Sequence, residues 1–441
     1  MIFQVKSITT KIFFIYIFCC NIHPVSAQNL YFPPNNQTQW DTMSIETLGW
    51  CPERINDLYN YLENNQTKGF IILKNGKMVL EKYFGGFTKD SLWYWASAGK
   101  TVTSFMVGVA QQEGKLNLSQ TSSSFLGNGW TSCATTQENQ ITIRHQLTMT
   151  SGLDDGLADP YCTLPNCLSC IAPAGERWAY HNAPYTLLDK VIENATSTSF
   201  NAYFISKLRN PIGMNGQFFQ IDYNNILVSN VRSMARFGLL ILNKGRWGFT
   251  PIMQDTAFFN QMVNTSQQLN KSYGYLWWLN GKESFRVPGL QIQFPGPLFR
   301  SAPNDMISAI GKNGQILNVI PSQQLVIIRM GNAPTSSEVP FTMNDSIMKY
   351  VQNLPCVTQT KDHGLDENSF DIYPNPSGDI LFINNKMKEN FSIQLYNDLG
   401  RRVLTDYSVS NIDVSIYPNG IYFLAIRNNL GTLLKKIVIQ H

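Results

Sequence analysis

Three short motifs carry the residues of this chain that could do chemistry, and the first is a serine followed by a lysine. A helix beginning at Ser97 would place Lys100 one turn later on the same face. A serine hydroxyl becomes a good nucleophile when a neighbouring base takes its proton, and a lysine can be that base where burial and positive charge lower its pKa. The same spacing recurs at Ser346 and Lys349, which we interpret as a surface pair. For Ser97 itself, the alternative is a helix N-cap beside a solvated lysine.

The second motif is Tyr180–Asn182. It follows a turn at 173–175 and precedes an apolar helix predicted to begin near Pro184. The phenol of Tyr180 could therefore lie at the end of a loop and face a cleft. We interpret His181 as a flanking polar residue without a catalytic role.

The third motif is Lys312–Gly314, which directly precedes the strand-like run Gln315–Ile320. A glycine at that point lets a ligand approach the backbone closely. The alternative is an ordinary hairpin turn, because Asn-Gly is also turn chemistry.

The elements around these motifs predict one antiparallel sheet flanked by helices. Asn75-Gly76 between two apolar runs is a strong hairpin signal, since both residues tolerate positive φ. Helices are expected at 52–65, from Ser97 to about Glu113, and at 342–353. Strand signals return late in this part of the chain, at 274–279, 306–310, 315–320 and 325–330. The prediction is an α+β fold with a mostly helical subdomain in its middle.

Taken in order, the three motifs resemble those of the serine β-lactamase and penicillin-binding-protein superfamily. The best resemblance is to its class C, esterase and 6-aminohexanoate-dimer-hydrolase-like branch, which has Ser-x-x-Lys, then Tyr-x-Asn, then Lys-Thr-Gly or His-x-Gly. It extends over about residues 51–355, so we assign 51–356 to a hydrolase domain. Stretches outside the motifs also resemble the family: 69–86, 145–153, 175–188, 211–214, 273–278 and 311–315.

The resemblance implies catalytic roles for three side chains. Ser97 would attack a carbonyl carbon and form an acyl-enzyme. Lys100 would accept or relay the serine proton. Tyr180 would act as partner base and acid, protonating the leaving group and later activating water.

The resemblance also implies substrate-binding roles. Asn182 would orient the lysine and bond the substrate, Lys312 would add positive field, and the backbone N–H of Gln315 would join that of the nucleophile in an oxyanion hole. In β-lactamases of the family, threonine is usual at Asn313, between Lys312 and Gly314, and serine is common at Gln315. Both positions help to hold the β-lactam carboxylate, so their change favours esters or linear amides.

Two alternatives to such a secreted serine hydrolase stay open. One is a β-lactamase or D-Ala-D-Ala carboxypeptidase on the same fold. The other is a catalytically silent binding or sensing module. Neither a metal nor an organic cofactor is implied by the resemblance.

Composition narrows the function class. Hydrophobic residues make up 43% of the 441 residues and charged residues 15%, which excludes a disordered chain. The formal net charge is +4 and no basic run exceeds a pair, so a nucleic-acid-binding face is not indicated.

The N-terminus reads as a secretory signal peptide, residues 1–27. Two lysines precede an apolar run at 12–20, and small residues occupy Val25 and Ala27. The run is too short for a membrane anchor. Bulky Phe18 before Cys19 and Cys20 argues against a lipoprotein. Residues 28–50 are a polar lead-in.

Six cysteines follow the predicted signal peptide, an even number that predicts disulfides in an exported chain. A zinc site at Cys167 and Cys170 is the alternative, and a bridge from Cys51 to Cys356 is a hypothesis. The six are Cys51, Cys133, Cys162, Cys167, Cys170 and Cys356.

The last part of the chain differs from the rest in its residue pattern. Residues 357–369 read as a linker, and 370–441 as a small all-β sandwich of short alternating runs, expected at 380–383, 391–396, 413–416, 421–427 and 433–439. Four stretches of this region resemble a type IX secretion C-terminal sorting domain: Tyr373–Pro376, Leu395–Arg401, Tyr417–Tyr422 and Lys435-Lys436. That resemblance implies export to the medium or cell surface, with the secretion machinery as a partner and the tail then cleaved. The alternative is a carbohydrate-binding sandwich that stays attached.

Overall fold

The computed structural model describes residues 30–35, 39–333, 337, 339–356, 368–429 and 431–441. The chain divides into two compact units, residues 1–355 and 356–441. The predicted signal peptide and most of the predicted linker lie outside the described residues.

The first two strands of the N-terminal unit form the hairpin that Asn75-Gly76 predicts. Helix α1, Pro52–Asn64, has its proline at the first turn, where the missing N–H costs nothing. Strands β1, Thr67–Lys74, and β2, Lys77–Tyr83, follow. Asn75 and Gly76 have φ of 52° and 81°, so both use the left-handed region that a tight two-residue hairpin requires.

The later strands complete a six-stranded antiparallel sheet. They are β3, Trp278–Leu279, β4, Ile307–Gly311, β5, Gln315–Ile320, and β6, Leu325–Gly331. The strand order is β2-β1-β6-β5-β4-β3. The strand predicted over 274–279 is wrong except at its end: the N–H of Gly274 bonds the carbonyl of Trp277, and Leu276 has φ of 62°. These apolar residues are buried in a turn rather than in a ladder.

The described part of this unit has four further long helices: α2, Lys100–Gln112, α3, Asn182–Thr196, α4, Val231–Leu242, and α5, Phe341–Gln352. A Cβ on Gly238 of α4 would lie 2.6 Å from a methyl of Leu317 in β5. The next residue, Asn318, bonds Asn344 of α5 at 2.7 Å. Neighbouring strand residues point to opposite faces, so α4 and α5 cover the two faces of the sheet.

The segment between β2 and β3 is mainly helical, as predicted. Helix α2 is buried along almost its whole length and packs against α3. Short helices lie at Ser123–Leu126, Thr135–Glu138, Ile143–Leu147, Phe200–Phe204 and Thr256–Met262. A small sheet joins Trp93–Tyr94, Asn224–Ser229 and Gln217–Ile221 in that order.

The C-terminal unit consists of two antiparallel sheets, consistent with the predicted sandwich. One contains β7, Phe370–Tyr373, β8, Ile380–Asn385, and β11, Asn411–Asp413. The other contains β9, Ser392–Asn397, β10, Arg402–Tyr407, β12, Gly420–Asn428, and β13, Gly431–Ile439. Leu424 and Ile426 alternate inward along β12, as a half-buried strand requires.

The cysteines form disulfides, which excludes the zinc alternative. Cys133 pairs with Cys170, and Cys162 pairs with Cys167. Cys51 and Cys356 are each disulfide-bonded as well. Within the described ranges, no helix is both long and apolar enough to cross a membrane.

Candidate active site

Ser97 lies in a tight 3-10 turn, Ala96–Gly99, that leads directly into α2. The helix therefore begins at Lys100, three residues later than predicted. Ala96 has φ of 46°, a left-handed conformation that costs a residue with a Cβ about 1–3 kcal/mol. The turn is held from outside, because the Trp95 indole donates to the Ser229 hydroxyl at 2.7 Å and the Trp95 N–H bonds the carbonyl of Leu227 at 2.8 Å.

The end of β4 lies directly against this turn. A Cβ on Gly311 would lie 2.4 Å from the carbonyl oxygen of Trp95 and 3.0 Å from the backbone nitrogen of Ser97. Only a residue without a side chain permits such an approach. The sheet thus meets the Ala96–Gly99 turn backbone to backbone.

Lys100 lies between the Ala96–Gly99 turn and the first residues of α3. Its side chain is only 2% exposed. Its Nζ donates to Ser97 Oγ at 2.7 Å and to Asn182 Oδ1 at 2.8 Å. The same nitrogen lies 4.0 Å from the ring centre of Tyr185 and 5.1 Å from that of Tyr180. Residues of the first two motifs therefore surround the amine of Lys100.

Tyr180 is oriented by aromatic neighbours. It is 7% exposed and stacks on Trp278 of β3, with ring centres 5.5 Å apart and planes 26° from parallel. Tyr273 contacts it edge-on at 6.3 Å. Burial, with smaller contributions from Tyr180 and Tyr185, raises the pKa of Tyr273 well above the usual tyrosine value, so Tyr273 stays neutral. Trp278 thus supports the phenol from the core.

His181, between the two motif residues, is the N-cap residue of α3 and is 2% exposed. Its Nδ1 has no hydrogen-bond partner among the described residues. Burial lowers the pKa of His181 to about 4, against the opposing effects of Asp155 and Asp154. The imidazole is therefore neutral at physiological pH.

The third motif, Lys312–Gly314, forms the turn between β4 and β5. Lys312 is exposed. Asn313 has φ of 61° and donates from Nδ2 to the Tyr94 hydroxyl at 2.6 Å. Gly314 has φ of 74°, and a Cβ there would lie 2.4 Å from Nη1 of Arg329. These residues form a turn between two strands, and Asn313 contacts the strand that leads into the Ala96–Gly99 turn. Their role in substrate binding stays a prediction.

The Gln315 side chain is occupied by a neighbouring strand. This side chain is fully buried, donates to the carbonyl of Gly331 at 2.6 Å and accepts from the Gly331 N–H at 3.1 Å. The amide therefore links β5 to β6 and is not available to a substrate. Only the backbone of Gln315 remains a candidate for substrate binding.

A cleft of about 800 Å³ opens beside Tyr180 and Asn182. Its other walls come from α1, from the segment around Asp155 and Pro160, from the loop at 287–289 and from the start of α5. This volume is typical of a small-molecule site.

Sequence reasoning missed two residues of α3. Tyr185 lies three residues after Asn182, so both face Lys100, and the helical spacing alone could have indicated this. Asp189 is buried one turn further on, where it accepts from Asn225 at 2.8 Å and from Thr103 of α2 at 3.2 Å. Burial raises the pKa of Asp189 to about 7.

Two family models match the chain in succession. Residues 65–352 match the model described as Beta-lactamase. Residues 371–440 match the secretion system C-terminal sorting domain, which indicates export by the type IX machinery to the medium or the cell surface.

Among curated proteins, Protein flp of Staphylococcus aureus (strain NCTC 8325 / PS 47) is 28% identical over 197 residues. The match covers 37% of this chain and 38% of that protein, so the chain spans less than two fifths of the length of its curated relative.

Solved structures share the fold at low identity. A candidate 6-aminohexanoate-dimer hydrolase from Bacillus anthracis has a TM-score of 0.54 at 20% identity, with 74% of this chain and 91% of that chain covered. A family VIII carboxylesterase has a TM-score of 0.53 at 14% identity, covering 69% and 98%. A penicillin-binding protein homologue from Caulobacter crescentus has a TM-score of 0.53 at 12% identity, also covering 69% and 98%.

The family match covers more than half of the chain and includes every residue of the site from Ser97 to Gln315. The chain belongs to the Beta-lactamase family.

Proposed function

We propose that this protein is an exported serine hydrolase that cleaves an amide or an ester through an acyl-enzyme on Ser97. The observation that carries the proposal is the 2.7 Å contact between Lys100 Nζ and Ser97 Oγ in a buried setting. Burial removes competing water and strengthens every electrostatic interaction of the reacting groups.

Acylation begins when Ser97 Oγ attacks the substrate carbonyl carbon and passes its proton to the amine of Lys100. The carbonyl oxygen becomes an oxyanion, which the backbone N–H groups of Ser97 and Gln315 stabilise. When the intermediate collapses, the bond to the leaving group breaks and Tyr180 supplies a proton to the departing oxygen or nitrogen.

Deacylation uses the same groups in reverse. Tyr180 takes a proton from water as the water oxygen attacks the acyl carbon. The bond to Ser97 Oγ then breaks, and the serine recovers its proton from Lys100. The net reaction consumes one water and releases an acid with an alcohol or amine.

Asn182 holds the base through this cycle. Its Oδ1 accepts a hydrogen bond from Nζ at 2.8 Å, which fixes the amine beside the serine instead of leaving it to rotate. A base held within hydrogen-bond distance of the proton it abstracts meets the first requirement of general base catalysis.

The rival activity on β-lactams receives less support. The Asn313 side chain bonds Tyr94, and the Gln315 side chain bonds Gly331. Neither amide is free to hold the substrate carboxylate in the way that the corresponding β-lactamase positions do. Esters and linear amides do not need that contact.

The decisive experiment compares Ser97→Ala with Ser104→Ala. Ser104 lies in α2, is fully buried, and its hydroxyl has no hydrogen-bond partner within the described structure, so its loss removes a similar group without touching the site. We expect Ser97→Ala to lose hydrolysis of 4-nitrophenyl acetate and covalent labelling by a fluorophosphonate, while Ser104→Ala retains both.

A chromogenic cephalosporin separates the rivals in the same assay. Cephalosporin turnover well above ester turnover would favour the β-lactamase. No adduct and no turnover in the wild-type protein would favour the silent binding module. Retained ester hydrolysis in Ser97→Ala would overturn the mechanism.

A further inference from the structure

The cleft beside Tyr180 has a mainly apolar wall. Three stretches provide it: the segment at Pro160, the loop Val287–Gly289 and the residues that start α5. The apolar members are Pro160, Val287, Pro288, Val339, Pro340, Phe341 and Met343.

Charge is nearly absent from this wall. Asp155 is the one charged side chain among the described residues that line the cleft. Its carboxylate accepts a charge-assisted hydrogen bond from Arg177 at 2.5 Å, and the two side chains are only 13% and 21% exposed. The charge of Asp155 is thus already compensated by Arg177, and a charged substrate group entering the cleft would lose hydration without gaining a counter-ion among the described lining residues.

The position of the cleft tells which part of a substrate it receives. Tyr180 and Asn182 line it, whereas Ser97 does not. Tyr180 is the residue proposed to protonate the leaving group, so the space beside it is where the departing alcohol or amine must lie.

We propose that this cleft is a leaving-group pocket that takes an uncharged alkyl or aryl group, so that the substrates are esters or amides of apolar alcohols or amines. The proposal rests on the proposed function, because it assigns the two sides of the scissile bond from the role of Tyr180. About 800 Å³ accommodates an aromatic ring carrying a short alkyl chain.

Phenyl acetates with para-methyl, para-propyl and para-pentyl groups test the pocket directly. The acyl group is constant and para-alkyl groups hardly alter the acidity of the phenol, so the chemical step is matched across the series. We expect kcat/KM to rise by about two- to fourfold per added methylene until the cleft is filled. A flat series would overturn the inference.

An anionic phenyl acetate provides a second test of the pocket. 4-(Carboxymethyl)phenyl acetate is similar in length to the propyl compound but carries a carboxylate. We expect its kcat/KM to be at least about tenfold lower, because the described residues that line the cleft offer the carboxylate no cation. Equal or faster turnover of the carboxylate would contradict an apolar pocket.

Val287→Asp places a carboxylate in the wall, and Ile292→Asp is its matched control. Ile292 lies five residues later, is 59% exposed and does not line the cleft. We expect Val287→Asp to remove most of the dependence on alkyl length, while Ile292→Asp keeps the wild-type dependence. Identical slopes in the two variants would speak against the assignment of this wall.

Failure of the inference can be told from failure of the proposed function. Hydrolysis of unsubstituted phenyl acetate that disappears in Ser97→Ala supports the function whatever the alkyl series shows. If the wild-type protein hydrolyses no member of the series and Ser97 takes no fluorophosphonate label, the proposed function fails and the pocket assignment fails with it.

Discussion

Two places in this molecule have the same Ser-x-x-Lys spacing and opposite surroundings. Lys100 is 2% exposed and donates to Ser97 Oγ and Asn182 Oδ1. Lys349 lies in the last turn of α5 and is exposed to solvent, as predicted, whereas Ser346 is half-buried and lines the cleft.

The Ser-x-x-Lys spacing is the same in both places, so burial of the lysine is what distinguishes them chemically. An exposed ammonium near a helix C-terminus is well solvated and interacts weakly with its neighbours. A buried amine depends on the groups around it, because it has exchanged water for fixed dipoles and rings. For Lys100, α3 and the Ala96–Gly99 turn provide those groups.

The largest expected effect comes from replacing the buried lysine. We expect Lys100→Met to lower kcat/KM for 4-nitrophenyl acetate by about 1,000-fold or more, because the serine loses its base. Lys349→Met should leave kcat/KM within about twofold of wild type. The steady-state kinetics of the two purified variants check this, and similar losses in both would mean that the two pairs do not differ in function.

The next effect concerns the phenol. Tyr180→Phe keeps the ring that stacks on Trp278 and removes only the hydroxyl. We expect kcat to fall by about 100-fold with an unchanged melting temperature, because a proton donor is lost without a loss of packing. Steady-state kinetics together with a thermal melt measure both quantities. An undiminished kcat would exclude Tyr180 as the acid.

A smaller effect tests the ring beneath the amine. Tyr185 lies 4.0 Å from Lys100 Nζ, close enough for a desolvated cation–π contact worth about 1–2 kcal/mol with the ammonium that forms when Lys100 takes the serine proton. We expect Tyr185→Leu to lower the rate of fluorophosphonate labelling of Ser97 by about tenfold and Tyr185→Phe to preserve it. Equal rates in the two variants would show that the ring contributes only bulk.

The smallest effect concerns stability at Asp189, further along the same helix. Burial raises the pKa of Asp189 to about 7, so between pH 4 and 7 the folded protein keeps a proton that the unfolded chain releases. The folded state binds more protons in this window, and this group's contribution to stability therefore declines as the pH rises.

We expect Asp189→Asn to raise the melting temperature relative to wild type more at pH 8 than at pH 4.5. Asp345→Asn on α5 is the control, because Asp345 accepts from the N–H of Ser301 in a more accessible place. Melting temperatures measured from pH 4.5 to 8 decide the matter. A constant difference between Asp189→Asn and wild type would rule out titration of Asp189 in this range.

Much of the fold could be predicted because its signals are local. The Asn75-Gly76 turn, the apolar runs of β5 and β6 and the helix α1 lie where residue patterns indicate them. The strand Arg402–Tyr407 was missed because it lies at the edge of its sheet and no residue of it is fully buried, so its pattern does not alternate clearly. Residues 274–277 were assigned to a strand because their apolar side chains look alike in a strand and in a buried turn.

By itself, the sequence determined which side chains are present at catalytic spacing, where the hairpin turns, and that a sorting domain follows a hydrolase domain. Only the tertiary structure decided that Lys100 is enclosed by α3 while Lys349 is exposed to water, and that the Gln315 amide links two strands instead of meeting a substrate. The physical reason is that burial and hydrogen-bond partners arise between residues far apart in the chain. Lys100 and Asn182 meet across 82 positions, and no local pattern encodes that contact.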